Sequence, residues 1–234
     1  MKRSEDKRLR WVRVLTILFT FHLSLITSSA QEDPEYRLEI GGGIGTVTYL
    51  GDYNDNLLKG MQPWGTVMAK YKINPRMAVG MTLGYGRIKG TSNRVTTWYP
   101  QEYYEFGTKM VDGGFRFEYN FWPYGTGREY RGAQRLTPYI APGLGIVYHG
   151  GPDKGVAVNL PLGAGIKYKI GDRLNLAAEW RMHFTLSDKL DGRTDPYGIK
   201  CSGIFKNTDC FSILQMILTY DLWAKCKTCH NDRD

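Results

Sequence analysis

Residues 173–187 alternate between polar and apolar side chains over an unusually long stretch. The even positions are apolar from Leu174 to Leu186, whereas the odd positions include Arg173, Glu179 and Arg181. Successive side chains of a β-strand point to opposite faces, so this pattern predicts a strand with one apolar face and one charged face. Tilted strands of about ten residues, apolar outside and polar inside, are typical of transmembrane barrels.

The same alternation recurs along the chain and predicts eight strands. They cover residues 36–49, 64–73, 77–89, 103–121, 137–149, 155–170, 173–187 and 211–223. An even number of strands brings both ends of the chain to one side of the membrane. We therefore expect an all-β fold, an eight-stranded antiparallel transmembrane β-barrel of the outer-membrane type.

The connections predict the orientation of this barrel. Asn74-Pro75 and Gly171-Asp172 form short turns, whereas 50–62, 90–102 and 188–210 are long. Short turns belong to the periplasmic side and long loops to the exterior. The connection 123–135 is the exception, because this scheme makes it a long periplasmic turn.

A soluble barrel of the lipocalin kind is the alternative fold. Its interior would be apolar and its exterior polar. Here nearly every predicted strand has one face that carries charged residues and one face with large apolar residues. The charged face suits the interior, so the apolar face has to meet lipid.

The first 30 residues resemble a secretory signal peptide. Six basic residues precede the apolar run Val14–Ile26, and the small residues Ser28 and Ala30 suit a cleavage site. The run of about 13 residues is shorter than the roughly 20 needed to cross a bilayer. We expect cleavage after residue 30, a barrel over 31–223 and a tail over 224–234, with both mature termini in the periplasm.

The net charge of +8 excludes little, because removal of the signal segment leaves +4. The remaining basic residues are dispersed among aromatic-rich segments instead of forming one patch. Such a mild excess does not support nucleic-acid binding. Frequent Gly, Tyr and Trp instead agree with curved sheets and membrane interfaces.

The inward faces of the predicted strands carry many charged residues. An eight-stranded barrel is just wide enough for side chains to fill it, and isolated buried charges are costly. We therefore expect the charges to pair and to plug the lumen, leaving no channel, no cofactor and no metal site. The predicted lumen charge network comprises Glu39, Lys70, Arg116, Glu118, Lys167, Lys169, Glu179, Arg181 and Asp221.

A lipid A-modifying enzyme is an alternative, because two small outer-membrane enzymes use such barrels. The candidates are His149 and His183, with Ser187 and Asp188 near the outer end of the seventh strand. A catalytic Ser and His must approach within about 3 Å and need a third group to orient the base. No second motif supports this hypothesis, so we expect no enzymatic activity.

All four cysteines lie in the last 34 residues. Cys201 and Cys210 enclose part of the loop 188–210, and an exported protein favours a disulfide between them. Cys226 and Cys229 follow the last strand in the segment Cys226-Lys-Thr-Cys229-His230. This segment matches a haem-attachment pattern but lacks an enclosing fold, and a tetrahedral metal site would need further ligands. A disulfide within the tail or to another protein remains open.

Two segments carry a resemblance to a known family. Leu38–Asn54, with its Gly-rich start, and Tyr71–Gly90, with an Asn-Pro-Arg turn and a Gly-Arg-Ile-Lys-Gly exit, resemble PorG-like outer-membrane proteins of Bacteroidetes. The resemblance implies a non-enzymatic component of the type IX protein secretion machinery. It also implies that the barrel associates with a periplasmic ring of a PorK-like lipoprotein and a PorN-like companion.

Members of that family carry a cysteine just after the last strand, and Cys226 or Cys229 occupies this place. The resemblance thus implies that a tail thiol bonds a periplasmic partner, with the tail and the 123–135 turn as contact candidates. An OmpX/OmpA-like structural or adhesion barrel, acting through its outer loops, is the alternative function.

Overall fold

The computed structural model describes residues 34–51, 53–54, 56–92, 103, 105–126, 133–150, 154–186 and 209–224. No helix in these ranges is long and apolar enough to cross a bilayer. Several predictions fall outside the described residues: the signal peptide 1–30, and the residues Ser187, Asp188, Cys201, Cys226, Cys229 and His230.

Eight strands follow one another along the chain. They are β1 (Tyr36–Leu50), β2 (Gln62–Lys72), β3 (Met77–Thr91), β4 (Glu105–Asn120), β5 (Leu136–Gly150), β6 (Gly155–Lys169), β7 (Leu174–Thr185) and β8 (Cys210–Ala224). Each strand pairs antiparallel with its neighbours in sequence, and β1 also pairs with β8, which closes the sheet. The predicted eight-stranded antiparallel barrel is confirmed.

The predicted strand limits differ from the observed ones by a few residues. β4 begins at Glu105 and β7 ends at Thr185, each two residues short of the prediction, while β2 begins at Gln62, two residues earlier. β8 continues to Ala224 because this residue pairs with Tyr36. It therefore includes the first residue of the predicted tail.

The two short turns are closed by local hydrogen bonds. Asn74 Oδ1 accepts hydrogen bonds from the backbone N–H of Arg76 and of Met77, both at 2.8 Å. An Asn side chain that binds the backbone in this way favours a tight reversal. The turn between β6 and β7 is closed by Ile170 N–H, which donates to Leu174 O at 2.9 Å.

Side chains alternate between the interior and the exterior along every strand. On β7, Glu179, Arg181 and His183 are buried, while Trp180 between them is 49% exposed. The exposed outward residues are mostly aliphatic or aromatic, which suits contact with lipid. Aromatic residues lie near both ends of this apolar band: Tyr71, Phe121, Trp122, Tyr168 and Tyr220 at the turn end, and Tyr85 and Tyr148 at the loop end.

The β1–β8 seam depends on close backbone approach at Gly41. A Cβ atom at this position would lie 2.6 Å from Thr219 Cα, closer than real Cβ atoms come to backbone. Only glycine therefore lets β1 and β8 approach at this point.

We predict that Gly41→Val weakens barrel closure, since overpacking against backbone costs about 1–3 kcal/mol or more. The mobility difference between heated and unheated samples on denaturing gels measures the folded fraction. Gly65→Val is the matched control, because a Cβ there meets no atom within 4 Å. Equal folded fractions for the two variants would contradict this account of the seam.

Candidate functional site

The nine residues of the predicted lumen charge network all lie inside the barrel. Each of them is 5% exposed or less. They are Glu39, Lys70, Arg116, Glu118, Lys167, Lys169, Glu179, Arg181 and Asp221. Strands on opposite sides of the lumen contribute them, so the contacts cross the interior. Three groups of contacts make up the network.

The first group bridges the closing seam of the barrel. Glu39 and Asp221 are register partners on β1 and β8, which places two carboxylates side by side. Like charges directly opposite each other destabilise a sheet. Lys72 Nζ relieves this repulsion, because it lies 3.3 Å from Glu39 Oε2 and 2.6 Å from Asp221 Oδ1. Lys169 Nζ adds a second contact to Asp221 at 2.5 Å.

The second group is centred on Glu118 of β4. Lys167 Nζ lies 2.5 Å from its Oε1, and Lys70 Nζ lies 3.2 Å from its Oε2. Lys70 also lies 2.7 Å from Glu39 Oε1, which joins this group to the seam. Arg116 Nη2 lies 3.5 Å from Glu118 Oε2.

The third group is centred on Glu179 of β7. Arg116 Nη2 donates to Glu179 Oε2 and Arg181 Nη2 donates to Glu179 Oε1, each at 2.5 Å. Tyr139 Oη donates to Glu179 Oε2 at 2.8 Å, and Gln215 Nε2 donates to Oε1 at 3.0 Å. Four donors therefore surround one carboxylate, which compensates for its removal from water.

Tyr124 closes the network at the turn end of the barrel. It belongs to the connection between β4 and β5 and is only 7% exposed. The Lys167 ammonium lies 4.3 Å from its ring centroid, a distance typical of cation–π contact. Burial, followed by the carboxylates of Glu39 and Asp221, raises the pKa of Tyr124. Its hydroxyl stays protonated and donates to Asn175 Oδ1 at 2.8 Å.

The backbone of this connection holds Tyr124 in place. Tyr124 N–H donates to Pro75 O at 3.0 Å, and Gln134 N–H donates to Pro123 O at 2.8 Å. Thr126 Oγ1 donates to Glu35 Oε2 at 3.2 Å. The described part of the exceptional turn is thus a folded cover over one end of the lumen.

The loop end of the lumen is filled differently, by a buried apolar cluster. Its members are Val47, Tyr49, Tyr53, Trp64, Ile88, Phe106, Met110, Val147, Ala157, Phe211 and Ile213. The alternation pattern did not predict this cluster, although both faces of β8 are apolar at Ile213-Leu214. A polar chain connects the two halves, because Trp64 Nε1 donates to Thr66 Oγ1, which donates to Gln215 Oε1 at 2.9 Å.

The two histidines considered as catalytic bases lie in this apolar half. His183 is fully buried and stacks on Phe211, with ring centroids 4.2 Å apart. Among the described residues neither ring nitrogen of His183 has a hydrogen-bond partner, and Asp112 Oδ1 lies 3.6 Å from Nδ1. His149 is 3% exposed, and a Cβ on Gly155 would lie 2.8 Å from its Nε2.

Cys210, one partner of the predicted disulfide, is the first residue of β8 and is partly exposed. It pairs with Leu50 and with Phe184 at the loop end of the barrel. Its predicted partner Cys201 lies outside the described residues, so this disulfide stays a prediction.

Lys72, Tyr124 and Tyr139 belong to the site although the predicted network omits them. Lys72 alternates correctly with Lys70 on β2, so the pattern contained its signal. No sequence pattern indicated Tyr124, because it lies in a polar connection and reaches the lumen only through the conformation of that connection.

The family profile described as outer membrane protein beta-barrel domain matches residues 17–200. Neisserial surface protein A is similar in structure, with a TM-score of 0.47 and 14% identity over 79% of this chain and 97% of its own. OprG from Pseudomonas aeruginosa has a TM-score of 0.47 and 12% identity, over 83% and 99% of the two chains. None of the curated proteins matches the chain in sequence.

We predict that Glu179→Gln lowers the free energy of unfolding by about 3–5 kcal/mol. The substitution leaves Arg181 buried without an ion-pair partner among the described residues and leaves Arg116 with only the longer, 3.5 Å contact to Glu118. Urea unfolding of the barrel in lipid vesicles measures the change. Glu105→Gln is the matched control, since Glu105 is exposed and bonds only Tyr103 in the described chain.

Adding Arg181→Gln to Glu179→Gln should recover part of this loss, because one unpaired cation is then removed. A Glu179→Gln variant as stable as the control would show that the network contributes nothing to folding.

Proposed function

The chain belongs to the outer membrane β-barrel domain family, and from this premise we propose that it is a membrane anchor of a type IX protein secretion machinery. It would hold a periplasmic ring, formed by a PorK-like lipoprotein and a PorN-like companion, at the outer membrane. The filled interior of the barrel carries this proposal. A barrel whose lumen is occupied by side chains acts through its ends instead of conducting solute.

Side chains occupy both halves of the lumen. Paired charges link β2, β4, β6 and β7 across one half, and the aromatic and aliphatic cluster fills the other half. Tyr124 covers the turn end as well. Function therefore belongs to the two ends of the barrel or to its outward surface.

The turn end is the better candidate for the contact with a ring. Tyr36 and Ala224 pair there, so the described part of the chain both begins and ends at this end of the barrel, where Thr126 of the β4–β5 connection bonds Glu35. Short turns face the periplasm in outer-membrane barrels. The PorG-like segments at 38–54 and 71–90 support the same assignment, and Cys226 or Cys229 would supply a thiol to lock the partner.

An adhesion or structural barrel is the second candidate function, and the loop end favours it. The connections between β1 and β2, β3 and β4, and β7 and β8 all lie at that end. Tyr49 Oη donates to Asp209 Oδ1 at 2.5 Å, so the last of these connections is tied to β1. Loops held on a rigid scaffold are a common location of binding residues.

We predict that outer membranes of cells with the wild-type chain show a high-mass band on non-reducing gels that disappears on reduction. Either Cys226→Ser or Cys229→Ser should remove this band and thereby identify the bonding thiol. Cys201→Ser is the control, because it lies in the other cysteine pair. A monomer band in all samples would exclude the covalent anchor.

Removal of residues 225–234 separates the two candidate functions. We expect it to abolish secretion while the barrel still folds, since the described part of β8 ends at Ala224. Host-cell attachment measured on the same strains tests the adhesion candidate. Normal secretion without the tail, together with attachment lost on replacing 92–104, would favour the adhesion barrel.

We predict that the purified wild-type barrel gives no steady conductance in planar bilayers. Ion pairs fill one half of the lumen and the apolar cluster fills the other, so we expect these side chains to block the passage of water and ions. Tyr124→Ala should remain closed, because the charge groups behind it still cross the lumen. Stable conductance steps of the wild type would contradict the anchor proposal and favour a channel.

A further inference from the structure

A block of three cations lies on the outward surface of the barrel, close to the loop end of β3 and β4. Arg87 and Lys109 are register partners, and Lys89 pairs with Gly107 directly beside them. Arg87 and Lys109 are exposed, whereas their neighbours Ile88 and Met110 point inward and are buried. The side chains of the three cations therefore lie on the outward face of the barrel.

Gly107, the register partner of Lys89, makes room for the side chain of Arg87. A Cβ atom on Gly107 would lie 2.8 Å from Arg87 Nη2, so the guanidinium lies over that glycine. Arg87 thus extends toward the loop end, between Lys109 and Lys89. Long cationic side chains reach in this way from an apolar surface to the headgroup region.

No carboxylate among the described residues forms an ion pair with these three cations. Like charges directly opposite each other on neighbouring strands are unfavourable. No ion pair among the described residues includes Arg87, Lys89 or Lys109. Glu105, on the same face of β4, instead accepts a hydrogen bond from Tyr103 at 2.9 Å.

The cations continue onto the neighbouring strands but not around the barrel. Lys109 also pairs with Gly150, and exposed Lys154 precedes the first residue of β6, Gly155, which pairs with His149. On the other side of the barrel, the outward residues at the loop ends of β1, β7 and β8 are uncharged, such as Thr46, Phe184 and Ser212. Among the described outward residues of the strands themselves, the positive charge at the loop end thus lies on β3 and β4.

An apolar groove lies on the same strands, directly toward the membrane centre. It has a volume of about 780 Å³, and its outward lining includes Leu83, Gly113, Phe115, Ile146 and Val158. Gly113 pairs with Leu83 and with Ile146, so the missing side chain leaves a slot between two large apolar residues. Tyr85 and Tyr148, both exposed, lie between the slot and the cations.

We propose that this surface binds a phosphate-bearing glycolipid of the outer leaflet, of the lipid A type. The phosphates would lie on Arg87, Lys89, Lys109 and Lys154, and an acyl chain would lie in the slot at Gly113. Charge complementarity selects this occupant, because a cation block directly above an apolar slot matches an anionic head carrying hydrocarbon chains. The site goes beyond the proposed anchor function and depends only on the loop end facing outward.

The test uses the purified barrel in nanodiscs of zwitterionic phospholipid that contain bisphosphorylated lipid A as the probe. Native mass spectrometry measures lipid A retained per barrel. Arg87→Gln/Lys109→Gln should weaken retention about tenfold or more, since each cation near an anionic surface contributes about 1 kcal/mol. Lys59→Gln, an exposed cation of the β1–β2 connection, is the control and should leave retention unchanged.

Dephosphorylated lipid A should bind the wild type at least as weakly as intact lipid A binds the double variant, because loss of the phosphates also removes their contacts with Lys89 and Lys154. Gly113→Val tests the slot separately: its Cβ would meet Leu83 Cδ1 at 3.6 Å, ordinary contact, so the chain still folds while the slot is filled. Gly65→Val, on the open surface of β2, is its matched control.

Equal retention by the wild type and the double variant would overturn the proposal. Equal retention of phosphatidylglycerol and lipid A by the wild type would also overturn it, because the surface would then be an unspecific anion site. Neither result bears on the secretion assay, which is carried out with the tail variants. The two proposals therefore fail independently.

Discussion

Main-chain hydrogen bonding is the constraint on which the rest of this structure depends. Hydrocarbon offers no partner to a backbone N–H or C=O, so the sheet has to close on itself. Closure is achieved where β1 meets β8, over a register that runs from Tyr36–Ala224 to Leu50–Cys210. Close approach at Gly41 permits this register, and every inward or outward assignment of side chains follows from it.

Once the sheet is closed, the inward charges have to neutralise one another. The seam itself creates a conflict, since Glu39 and Asp221 face each other, and Lys72 resolves it from β2. Buried ion pairs are often close to neutral for stability, but breaking one is costly. A one-residue slip of β8 would turn Asp221 to the lipid side, so the network specifies the register more than it strengthens the fold.

The two halves of the lumen differ in chemistry, and this division shapes what the barrel can do. Charges and Tyr124 fill the turn end, while tightly packed aromatic and aliphatic residues fill the loop end. A filled interior directs function to the ends and to the outward surface. The proposed anchor uses the turn end, and the proposed glycolipid site uses the outward surface near the loop end, so both can operate in one molecule.

The sequence by itself determined the strand count, the closed antiparallel architecture and the side of each strand that carries charge. Alternation with a period of two is a local property, so it is readable from segments such as 173–187 without knowledge of their neighbours. The same alternation predicted that Glu118 and Glu179 lie inside the barrel.

Only the tertiary structure decided which charges meet, because pairing across a lumen joins residues such as Arg116 and Glu179 that are distant in sequence. It also decided that Tyr124 enters the barrel and that Arg87 lies beside Lys109. Those contacts depend on turn conformation and strand register, which are set by closure of the whole sheet and not by any single segment.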